Sequence, residues 1–242
     1  MKKLINKIIG ITGYQLRPVE FIDVDLKRRI KIMNFLGINL VLDVGANKGQ
    51  YAQKLRELGY TGRIVSFEPL TNVFDILKQA STGDSKWEVH NCALGNEDIS
   101  SFINIAGNTD SSSILNMLPE HKKNAPHTEY VGKQPITIKK LDTIFDSIQN
   151  GQQYNILLKS DTQGYEESVL RGAEKSLSKI KMLQLEMSLV PLYESEMLYS
   201  DMLRFLDSRN FCLFSVENGF SSRESGRMLQ MDGILVNKDF AG

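Results

Sequence analysis

The sequence predicts an α/β fold in which helices cover both faces of a doubly wound, mostly parallel sheet of seven strands. Short apolar segments alternate with amphipathic ones from about residue 40 onward. The first of them, Leu40–Val44, runs directly into a glycine-rich turn, as a buried parallel strand does. Hydrophobic residues make up 41% of the 242-residue chain, which is enough for the core of one full α/β domain.

Hydrophobic spacing and chain-breaking residues define the individual elements. Tyr51, Leu55 and Leu58 are spaced as on one helix face, and Gly59 ends that helix. Two apolar and β-branched segments near the end of the chain predict an antiparallel closing pair. The predicted strands are Leu40–Val44, Arg63–Phe67, Trp87–Cys92, Ile156–Lys159, Met182–Glu186, Phe211–Glu217 and Gly233–Asn237, and the predicted helices are Gln50–Leu58, Val73–Gln79, Glu166–Leu177 and Asp201–Asp207.

Residues 99–140 interrupt this alternation. Two segments with strand-like alternation, Ser101–Ile105 and Ile136–Lys139, enclose a polar stretch that contains Asp110–Ser113 and His121. A long loop inside a domain of this size is usually functional or disordered. We therefore predict that it is a lid or an inserted loop and strand region on the substrate side.

The predicted domain organisation is an N-terminal helical appendage over residues 1–38 and one α/β domain over residues 39–242. Residues 1–11 combine lysines with apolar residues, a pattern that allows weak contact with a membrane surface. They are too short for a membrane span, and no signal-peptide cleavage site follows them. We expect a soluble, cytoplasmic protein.

Charge and cysteine usage exclude several classes of function. Lysine plus arginine and aspartate plus glutamate number 29 each, so the chain has no global positive field for nucleic-acid binding. Cys92 and Cys212 lie far apart and form no Cys-x-x-Cys pair, which disfavours a disulfide or a zinc site and fits a reducing compartment. Nothing in the sequence indicates an oligomeric state.

The turn after the first strand is the strongest functional signal. Gly45 and Gly49 allow a ligand to approach the backbone, and the following helix start offers N–H donors. The spacing is Gly-x-x-x-Gly, which differs from the Gly-x-Gly-x-x-Gly of dinucleotide sites. The Asp43 carboxylate before the first glycine would repel a pyrophosphate but attract the ammonium and sulfonium groups of S-adenosylmethionine. This charge argument favours a methyl donor over a dinucleotide.

Glu68 ends the second predicted strand and is followed by Pro69. A carboxylate at this place can accept both hydroxyls of a ribose, so it supports an adenosine ligand. Cys92 and Ala93 follow the third strand, where an adenine edge would lie.

The ordered motifs resemble those of the FkbM family of methyltransferases, which has the Rossmann-like class I methyltransferase fold. The resemblance covers nearly the whole chain from about residue 40. The matching stretches are Leu-Asp-Val-Gly-Ala-Asn-Lys-Gly-Gln-Tyr at 42–51, Ser-Phe-Glu-Pro-Leu at 66–70, Asn-Cys-Ala-Leu-Gly at 91–95, Asp-Ser-Ser-Ser-Ile at 110–114, Leu-Asp-Thr-Ile at 141–144, Lys-Ser-Asp-Thr-Gln-Gly-Tyr-Glu at 159–166, Val-Leu-Arg-Gly-Ala at 169–173 and Met-Asp-Gly-Ile at 231–234.

The resemblance implies S-adenosylmethionine as cofactor and assigns residues to it. Glu68 would hold the ribose, Ser112 would lie near the cofactor or the acceptor, and Asp161 and Gln163 would face the reacting centre. Many family members carry glutamate where this chain has Gln163 and an aliphatic residue where it has Ser160, which weakens any role of position 163 as a base. The residues expected at the methionine end are Asp43, Gly45, Asn47, Gly49 and Tyr51, and Ala46, Pro69, Cys92 and Ala93 complete the predicted cofactor contacts.

Methyl transfer to an alcohol needs a group that removes the hydroxyl proton. Asp161, at the end of the fourth strand, is the first choice, although it could instead close the turn before Gly164. Glu186 at the end of the fifth strand and His121 in the insertion are the other candidates, and a lone loop histidine is usually just solvated. Asp161 and Glu186 could also bind a divalent ion, but a third ligand is missing, so no metal is predicted.

These observations predict an S-adenosylmethionine-dependent O-methyltransferase that acts on a hydroxyl of a small-molecule or glycan acceptor, namely a sugar, a glycan or a natural product. Two alternatives stay open. One is N- or C-methylation on the same fold, and the other is a non-catalytic module of a biosynthetic complex that binds adenosyl ligands. A dinucleotide oxidoreductase is disfavoured by Asp43 and by the glycine spacing.

Overall fold

Two sheets organise the molecule in the computed structural model, which describes residues 24–241. Seven strands form the large sheet in the order β3-β2-β1-β7-β8-β10-β9, and three form a small sheet in the order β4-β6-β5. The strands are β1 (Leu40–Val44), β2 (Arg63–Phe67), β3 (Trp87–His90), β4 (Ala93–Leu94), β5 (Ile99–Ala106), β6 (Tyr130–Lys139), β7 (Ile156–Ser160), β8 (Ile180–Ser188), β9 (Phe211–Asn218) and β10 (Gln230–Asn237).

Helices separate the strands of the large sheet along the chain up to β9, as the predicted α/β alternation requires. They are α1 (Val24–Phe35), α2 (Gln50–Glu57), α3 (Thr71–Ala80), α4 (Pro119–Asn124), α5 (Leu141–Gln149), α6 (Glu166–Arg171) and α7 (Tyr199–Asp207), and two short 3-10 helices cover Leu177–Lys179 and Lys238–Phe240.

In the large sheet the five neighbouring strands β3, β2, β1, β7 and β8 run parallel, and β10 is antiparallel to both β8 and β9. This confirms the predicted doubly wound, mostly parallel sheet with an antiparallel closing pair. Every residue of the central strands β1 and β7 is buried, which fits strands covered on both faces. The carboxyl ends of β1, β2 and β7 therefore meet at one edge, where ligands bind in folds of this kind.

Two predicted elements end at least two residues earlier in the structure than expected. The third strand ends at His90 instead of Cys92, because Ala93 and Leu94 leave the large sheet and pair with Ile138 and Lys139 of β6. The Asn91 side chain makes this bend by donating to the carbonyl oxygen of Glu68 at 2.9 Å.

The predicted helix over Glu166–Leu177 ends at Arg171. Gly172 follows it and packs so closely on Gly95 that an added Cβ would lie 1.8 Å from the Gly95 carbonyl oxygen. The Asp142 carboxylate then accepts the N–H groups of Lys175 and Ser176 at 2.9 Å each, which holds the chain in a separate turn. Hydrophobic spacing continues through this region, but the contact with Gly95 and the Asp142 cap prevent a continuous helix.

The insertion at residues 99–140 contains both predicted strands within longer ones. β5 and β6 pair antiparallel from Ile99–Ile138 to Ala106–Tyr130, and α4 lies in the connection between them. Apolar residues of the small sheet, such as Ile103 and Ile138, pack against Leu70 and Val73 beyond the end of β2. The small sheet is therefore fixed beside the edge at which β1, β2 and β7 end.

α1 lies within the predicted N-terminal appendage. Ile32 and Met33 are buried and pack in one cluster with Val41, Leu157 and Ile234 of the large sheet. The boundary near residue 38 stays a prediction, and the membrane-surface contact predicted for residues 1–11 lies outside the described residues. Within residues 24–241, no helix is long and apolar enough to cross a membrane.

Replacement of Gly45 tests the close contact between the β1 and β7 exits. Gly45 has φ +73°, and a Cβ there would lie 1.9 Å from the carbonyl oxygen of Asp161. We expect Gly45→Ala to lower the free energy of unfolding by about 3 kcal/mol or more, measured by urea denaturation. Gly83→Ala is the matched control, because Gly83 has φ +91° with nothing within 4 Å of its added Cβ. Equal losses for the two variants would contradict the contact.

Candidate active site

A cavity of about 720 Å³ opens at the carboxyl ends of β1, β2 and β7. This is within the usual size range of small-molecule sites. The small sheet, the insertion and α1 form its other walls. Its lining includes Arg29, Gly45, Ala46, Asn47, Tyr51, Glu68, Pro69, Ala93, Leu94, Ile103, Asp110, Ser112, Lys159, Asp161, Gln163, Gln184, Glu217 and Asp232.

A row of four buried polar side chains crosses the sheet just below this cavity. Ser66, Asp43, Lys159 and Gln184 are neighbours in register on β2, β1, β7 and β8, and each is at most 6% exposed. Ser66 Oγ donates to Asp43 Oδ2 at 3.2 Å, and Trp87 Nε1 donates to Ser66 Oγ at 3.0 Å. Together with the ion pair of Asp43 and Lys159, these contacts link β2, β1 and β7.

Lys159 is the central member of the row. Its Nζ lies 3.1 Å from Asp43 Oδ1 and 3.8 Å from Asp161 Oδ2, and it donates to the carbonyl oxygen of Gly45 at 3.0 Å. Burial alone would lower the pKa of Lys159, but the two carboxylates outweigh it and raise that pKa above its ordinary value. Lys159 is therefore a buried cation that fixes the exits of β1 and β7 to each other.

The ion pair corrects the charge argument that the sequence suggested for Asp43. Asp43 is fully buried, does not line the cavity, and is paired with Lys159. Its charge is compensated inside the sheet, so it neither repels a pyrophosphate nor meets an ammonium directly. The exposed carboxylate at this end of the cavity is that of Asp161, whose side chain is 42% exposed.

A different feature of the turn disfavours a pyrophosphate ligand. The N–H groups of Gly45 and Ala46 donate to the carbonyl oxygen of Phe67, and the N–H of Gly49 donates to the carbonyl oxygen of Ala46. The N–H of Asn47 donates to Glu68, and that of Lys48 donates to the Asn47 side chain. All five N–H groups at residues 45–49 are used within the protein, so the turn itself offers no free donor to a phosphate. The donors expected at the start of the following helix, which begins at Gln50, stay a prediction.

Glu68 is a buried carboxylate at the end of β2. Oε2 accepts the N–H of Asn47 at 2.9 Å, and Oε1 accepts the N–H of Leu70 at 2.8 Å. Burial raises the pKa of Glu68 to about 7, although the two backbone donors and Lys159 lower it. Each oxygen keeps a further lone pair, so the carboxylate can accept two hydroxyl groups from a ligand in the cavity.

The structure places most other predicted cofactor residues at the cavity wall. Tyr51 lines it with its ring between two cations, 5.3 Å from the Arg29 guanidinium carbon and 5.4 Å from Lys159 Nζ. Its hydroxyl donates to Gln184 Oε1 at 2.8 Å, and burial raises the pKa of Tyr51 to about 12. The other predicted residues that line the cavity are Gly45, Ala46, Asn47, Pro69, Ala93, Ser112, Asp161 and Gln163.

Gly49 and Cys92 do not line the cavity. Gly49 has φ +88°, and an added Cβ would lie 2.9 Å from the Trp87 ring, so this glycine is required for packing. Cys92 points into the hydrophobic core, where burial raises the pKa of its thiol to about 11. The chain alternates here, so the neighbouring Ala93 faces the cavity instead.

The insertion reaches the cavity through the segment around Asp110–Ser113. Asp110 Oδ1 accepts a hydrogen bond from Asn47 Nδ2 at 2.8 Å, which joins the insertion to the turn after β1. Ser113 Oγ donates to the carbonyl oxygen of Gln163 at 2.7 Å, which joins it to the chain after β7. Ser112 lines the cavity and accepts the N–H of Ala106. The insertion therefore forms part of the cavity wall.

Asp161 does not close the turn that follows β7. That role belongs to Glu166, which accepts the N–H of Thr162 at 2.7 Å and the Thr162 hydroxyl at 3.0 Å. Burial raises the pKa of Glu166 to about 7. The Asp161 carboxylate lines the cavity, and Oδ1 accepts a hydrogen bond from the Gln163 side chain.

The three candidate bases belong to one hydrogen-bond network. Gln163 Nε2 donates to Asp161 Oδ1 and to Glu186 Oε2, each at 2.9 Å, and Gln163 Oε1 accepts from the Tyr193 hydroxyl at 2.7 Å. The Tyr193 hydroxyl lies 3.3 Å from His121 Nε2. Only Asp161 among the three candidates lines the cavity.

His121 and Glu186 are therefore poor candidates for a base that contacts the acceptor. His121 is 3% exposed, which contradicts the expectation of a solvated loop residue, and burial lowers its pKa to about 4. Burial and the neighbouring carboxylates of Asp161, Glu166 and Asp232 raise the pKa of Glu186 well above its ordinary value. Among residues 24–241 no group of three His, Cys, Asp or Glu side chains is arranged to hold a metal ion.

Several polar residues of the site were missed by sequence reasoning. Lys159 stands out within the buried strand Ile-Leu-Leu-Lys-Ser, and Gln184 is buried between Leu183 and Leu185 on β8. Asp232 lies on β10, next to the central part of the sheet. A charged or amide side chain inside a buried strand was the available signal. No local sequence pattern indicates the role of Tyr193 or the ion pair of Arg29 with Glu217, because both depend on contacts between distant segments.

One family model, described as the methyltransferase FkbM domain, matches residues 43–213, which is most of the chain. No curated protein matches the sequence significantly.

Solved structures with a similar fold include three bacterial proteins. A candidate tRNA methyltransferase of Streptococcus pneumoniae, in complex with S-adenosyl-L-methionine, is 14% identical over 87% of this chain and 72% of that chain, with a TM-score of 0.45. A candidate S-adenosylmethionine-dependent methyltransferase of Listeria monocytogenes is 11% identical over 88% and 96%, with a TM-score of 0.49. An rRNA methylase of Streptococcus thermophilus is 11% identical over 86% and 94%, with a TM-score of 0.44. At these values the similarities do not indicate what this chain methylates.

The buried pair of Asp43 and Lys159 is tested by a double-mutant cycle. Removal of one partner leaves the other charge buried and unpaired, so we expect Asp43→Asn or Lys159→Met to cost about 3–5 kcal/mol of unfolding free energy. The double variant should lose less than the sum of the two. The control Arg204→Met breaks an exposed ion pair and should cost less than about 1 kcal/mol. Strict additivity of the two core substitutions would contradict the pairing.

Proposed function

Because this chain belongs to the FkbM methyltransferase family and uses S-adenosylmethionine as its methyl donor, we propose that it methylates a hydroxyl of a sugar, a glycan or a natural product, with Asp161 as the base. The observation that carries the proposal is the Asp161 carboxylate. It projects into the cavity from the end of β7, is 42% exposed, and is not used to close the turn. A hydroxyl acceptor needs a proton acceptor at such a place.

The residues around the cavity fit the methyl donor. Glu68 presents a buried carboxylate with lone pairs for two ribose hydroxyls, and Ala93, Leu94 and Ile103 offer an apolar surface for the adenine ring. The Asp161 carboxylate at the other end favours the cationic sulfonium group of the methyl donor. The volume of about 720 Å³ leaves room for an acceptor beside the cofactor.

When bound, S-adenosylmethionine supplies a methyl group that its sulfonium has already activated for in-line displacement. The protein then acts mainly by positioning the two reactants. Asp161 accepts the proton of the acceptor hydroxyl while the new oxygen–carbon bond forms and the carbon–sulfur bond breaks. Lys159, 3.8 Å from Asp161 Oδ2, stabilises the ionised carboxylate before the transfer.

The residues after β7 favour oxygen as the acceptor atom. Amino-group methylases of this fold carry an acidic-aromatic-proline motif there, whereas this chain has Ser160, Asp161, Thr162 and Gln163. An amine acceptor would be neutral when it reacts and would gain little from Asp161 as a base. Methylation of nitrogen or carbon is the second candidate, and it predicts that turnover survives the loss of Asp161.

The charges at the cavity disfavour a nucleic-acid acceptor, although two of the similar solved structures are tRNA and rRNA methylases. The acidic lining residues outnumber the basic ones, and the chain carries no net positive charge. Phosphate backbones need the opposite sign. We propose that the insertion at 99–140 and the chain after Glu186 form the acceptor side, in a protein that acts in the cytoplasm.

Replacement of Asp161 tests the reaction assignment. Purified protein is assayed for conversion of S-adenosylmethionine to S-adenosylhomocysteine over a panel of hydroxylated sugars and glycans. We expect Asp161→Asn to lower kcat about 10²–10⁴-fold while the affinity for S-adenosylhomocysteine stays within about twofold. Glu97→Gln, an exposed acidic residue away from the cavity, is the control. Full turnover by Asp161→Asn would overturn the base assignment.

The pH dependence of binding tests the role of Glu68. Since the pKa of Glu68 is about 7 without ligand and hydroxyl donors require the carboxylate, ligand affinity should fall as the pH drops below 7. We expect calorimetry to show about tenfold weaker binding of S-adenosylhomocysteine at pH 6 than at pH 8. Glu68→Gln should bind more weakly at pH 8 and lose this difference, which separates Glu68 from titration of the ligand itself. The same pH response in Glu68→Gln would refute the role.

A further inference from the structure

The hydrogen bonds that join the candidate bases Asp161, Glu186 and His121 have a defined direction from donor to acceptor. An ionised carboxylate only accepts hydrogen bonds, and Gln163 Nε2 faces both Asp161 and Glu186 at 2.9 Å. Rotation of this amide by half a turn would point its oxygen at the Asp161 carboxylate, so that two acceptors would face each other. The observed orientation therefore places both amide hydrogens on the acidic side and the amide oxygen toward Tyr193.

Tyr193 maintains this orientation from the other side. Its hydroxyl has a single hydrogen, which it donates to Gln163 Oε1 at 2.7 Å. The side chain is 1% exposed, and its ring packs on Gly164, where an added Cβ would lie 2.9 Å from Tyr193 Cβ. The hydroxyl is thus held at one position next to Gln163.

The Gln163 backbone is also held in an unusual conformation. Its φ of +57° lies in the left-handed region, which is unfavourable for a residue with a side chain. The hydrogen bond from Ser113 Oγ to the Gln163 carbonyl oxygen, at 2.7 Å, stabilises this conformation from the insertion. Strained backbone of this kind is found where a side chain must point in a set direction.

His121 completes the chain of donors. The Tyr193 hydrogen is already used on Gln163, so the contact of 3.3 Å between Tyr193 Oη and His121 Nε2 requires a hydrogen on Nε2. His121 Nδ1 is buried and has no hydrogen-bond partner among the described residues. A bare ring nitrogen is less costly there than an unsatisfied N–H group. Burial keeps the ring neutral by lowering its pKa to about 4.

We propose that Gln163, Tyr193 and His121 form a positioning relay that orients the Asp161 carboxylate toward the acceptor hydroxyl. Every donor in the relay points toward Asp161: Nε2–H of His121 to Tyr193, O–H of Tyr193 to Gln163, and N–H of Gln163 to Asp161. None of the three takes up a proton in the reaction. The inference rests on the proposed role of Asp161 as base.

The relay connects the insertion to the base. His121 belongs to α4 of the insertion, while Asp161 and Gln163 follow β7 and Tyr193 follows β8. Displacement of α4 would withdraw the support of the Tyr193 hydroxyl and allow the Gln163 amide to turn. The insertion thus determines the orientation of a group on which the chemistry depends.

NMR of protein labelled with ¹⁵N-glutamine and ¹⁵N-histidine tests the relay with S-adenosylhomocysteine bound. In the unmodified protein, both side-chain amide protons of Gln163 should resonate downfield of exposed glutamines such as Gln53 and exchange slowly. Gln163→Leu assigns these signals by their disappearance. The imidazole nitrogens of His121 should report the neutral Nε2–H tautomer.

Tyr193→Phe should return the Gln163 amide signals to the range and exchange rate of exposed glutamines. Tyr130→Phe is the matched control, because it removes a hydroxyl from the same apolar cluster that donates to the Leu115 carbonyl oxygen instead. With a hydroxyl acceptor, Tyr193→Phe should lower kcat roughly tenfold and leave the KM for the methyl donor unchanged. Tyr130→Phe should change neither constant.

Each contrary result overturns the relay. In the unmodified protein, an Nδ1–H tautomer or an imidazolium at His121 would contradict the relay. This measurement does not depend on whether Tyr193→Phe folds. Unchanged amide signals in Tyr193→Phe, or equal effects of the two tyrosine variants, would also contradict the relay. The NMR measurements need no acceptor. If the Gln163 amide protons are downfield and exchange slowly but Asp161→Asn keeps full turnover, the role of Asp161 as base is rejected. The orientation of the Gln163 amide would still be supported.

Discussion

The cation of Lys159, buried between Asp43 and Asp161, is the interaction on which the rest of the site depends. It pairs with Asp43 inside the sheet, lies 3.8 Å from the exposed Asp161 carboxylate, and donates to the Gly45 carbonyl oxygen. A buried ammonium needs such compensation because its desolvation is costly. The arrangement holds the exits of β1 and β7 in contact, and only glycine fits at position 45 in that contact. The turn, the cavity floor and the position of Asp161 all follow from it.

Three carboxylates at this edge of the sheet lie in different surroundings. Asp43 is fully buried and compensates a cation, while Glu68 is buried but keeps lone pairs for a ligand. Asp161 is partly exposed and keeps one side toward the cavity. Burial, pairing and exposure, which the sequence does not state, therefore separate the structural carboxylate of Asp43 from the carboxylates that we propose for binding and for catalysis.

Much of the fold could be predicted from the sequence because it depends on local patterns. Apolar strands, helix spacing and the glycine-rich turn located β1, β2 and β7 within a residue. The early ends of β3 and of the helix at Arg171 could not be predicted, because they arise from the pairing of Ala93 with β6 and from the contact of Gly172 with Gly95. The family resemblance likewise indicated the site, and the fully buried position of Asp43 did not follow from it.

We propose that the adenosine of the methyl donor lies on Glu68 and that the reactive end of the donor lies beside Asp161. A crystal structure with S-adenosylhomocysteine bound tests it most directly. We expect both ribose hydroxyls to donate to the Glu68 carboxylate at about 2.5–3.0 Å, and the sulfur to lie on the Asp161 side of the cavity. Ribose hydroxyls without contact to Glu68, or a ligand bound with its adenine beside Asp161, would contradict it.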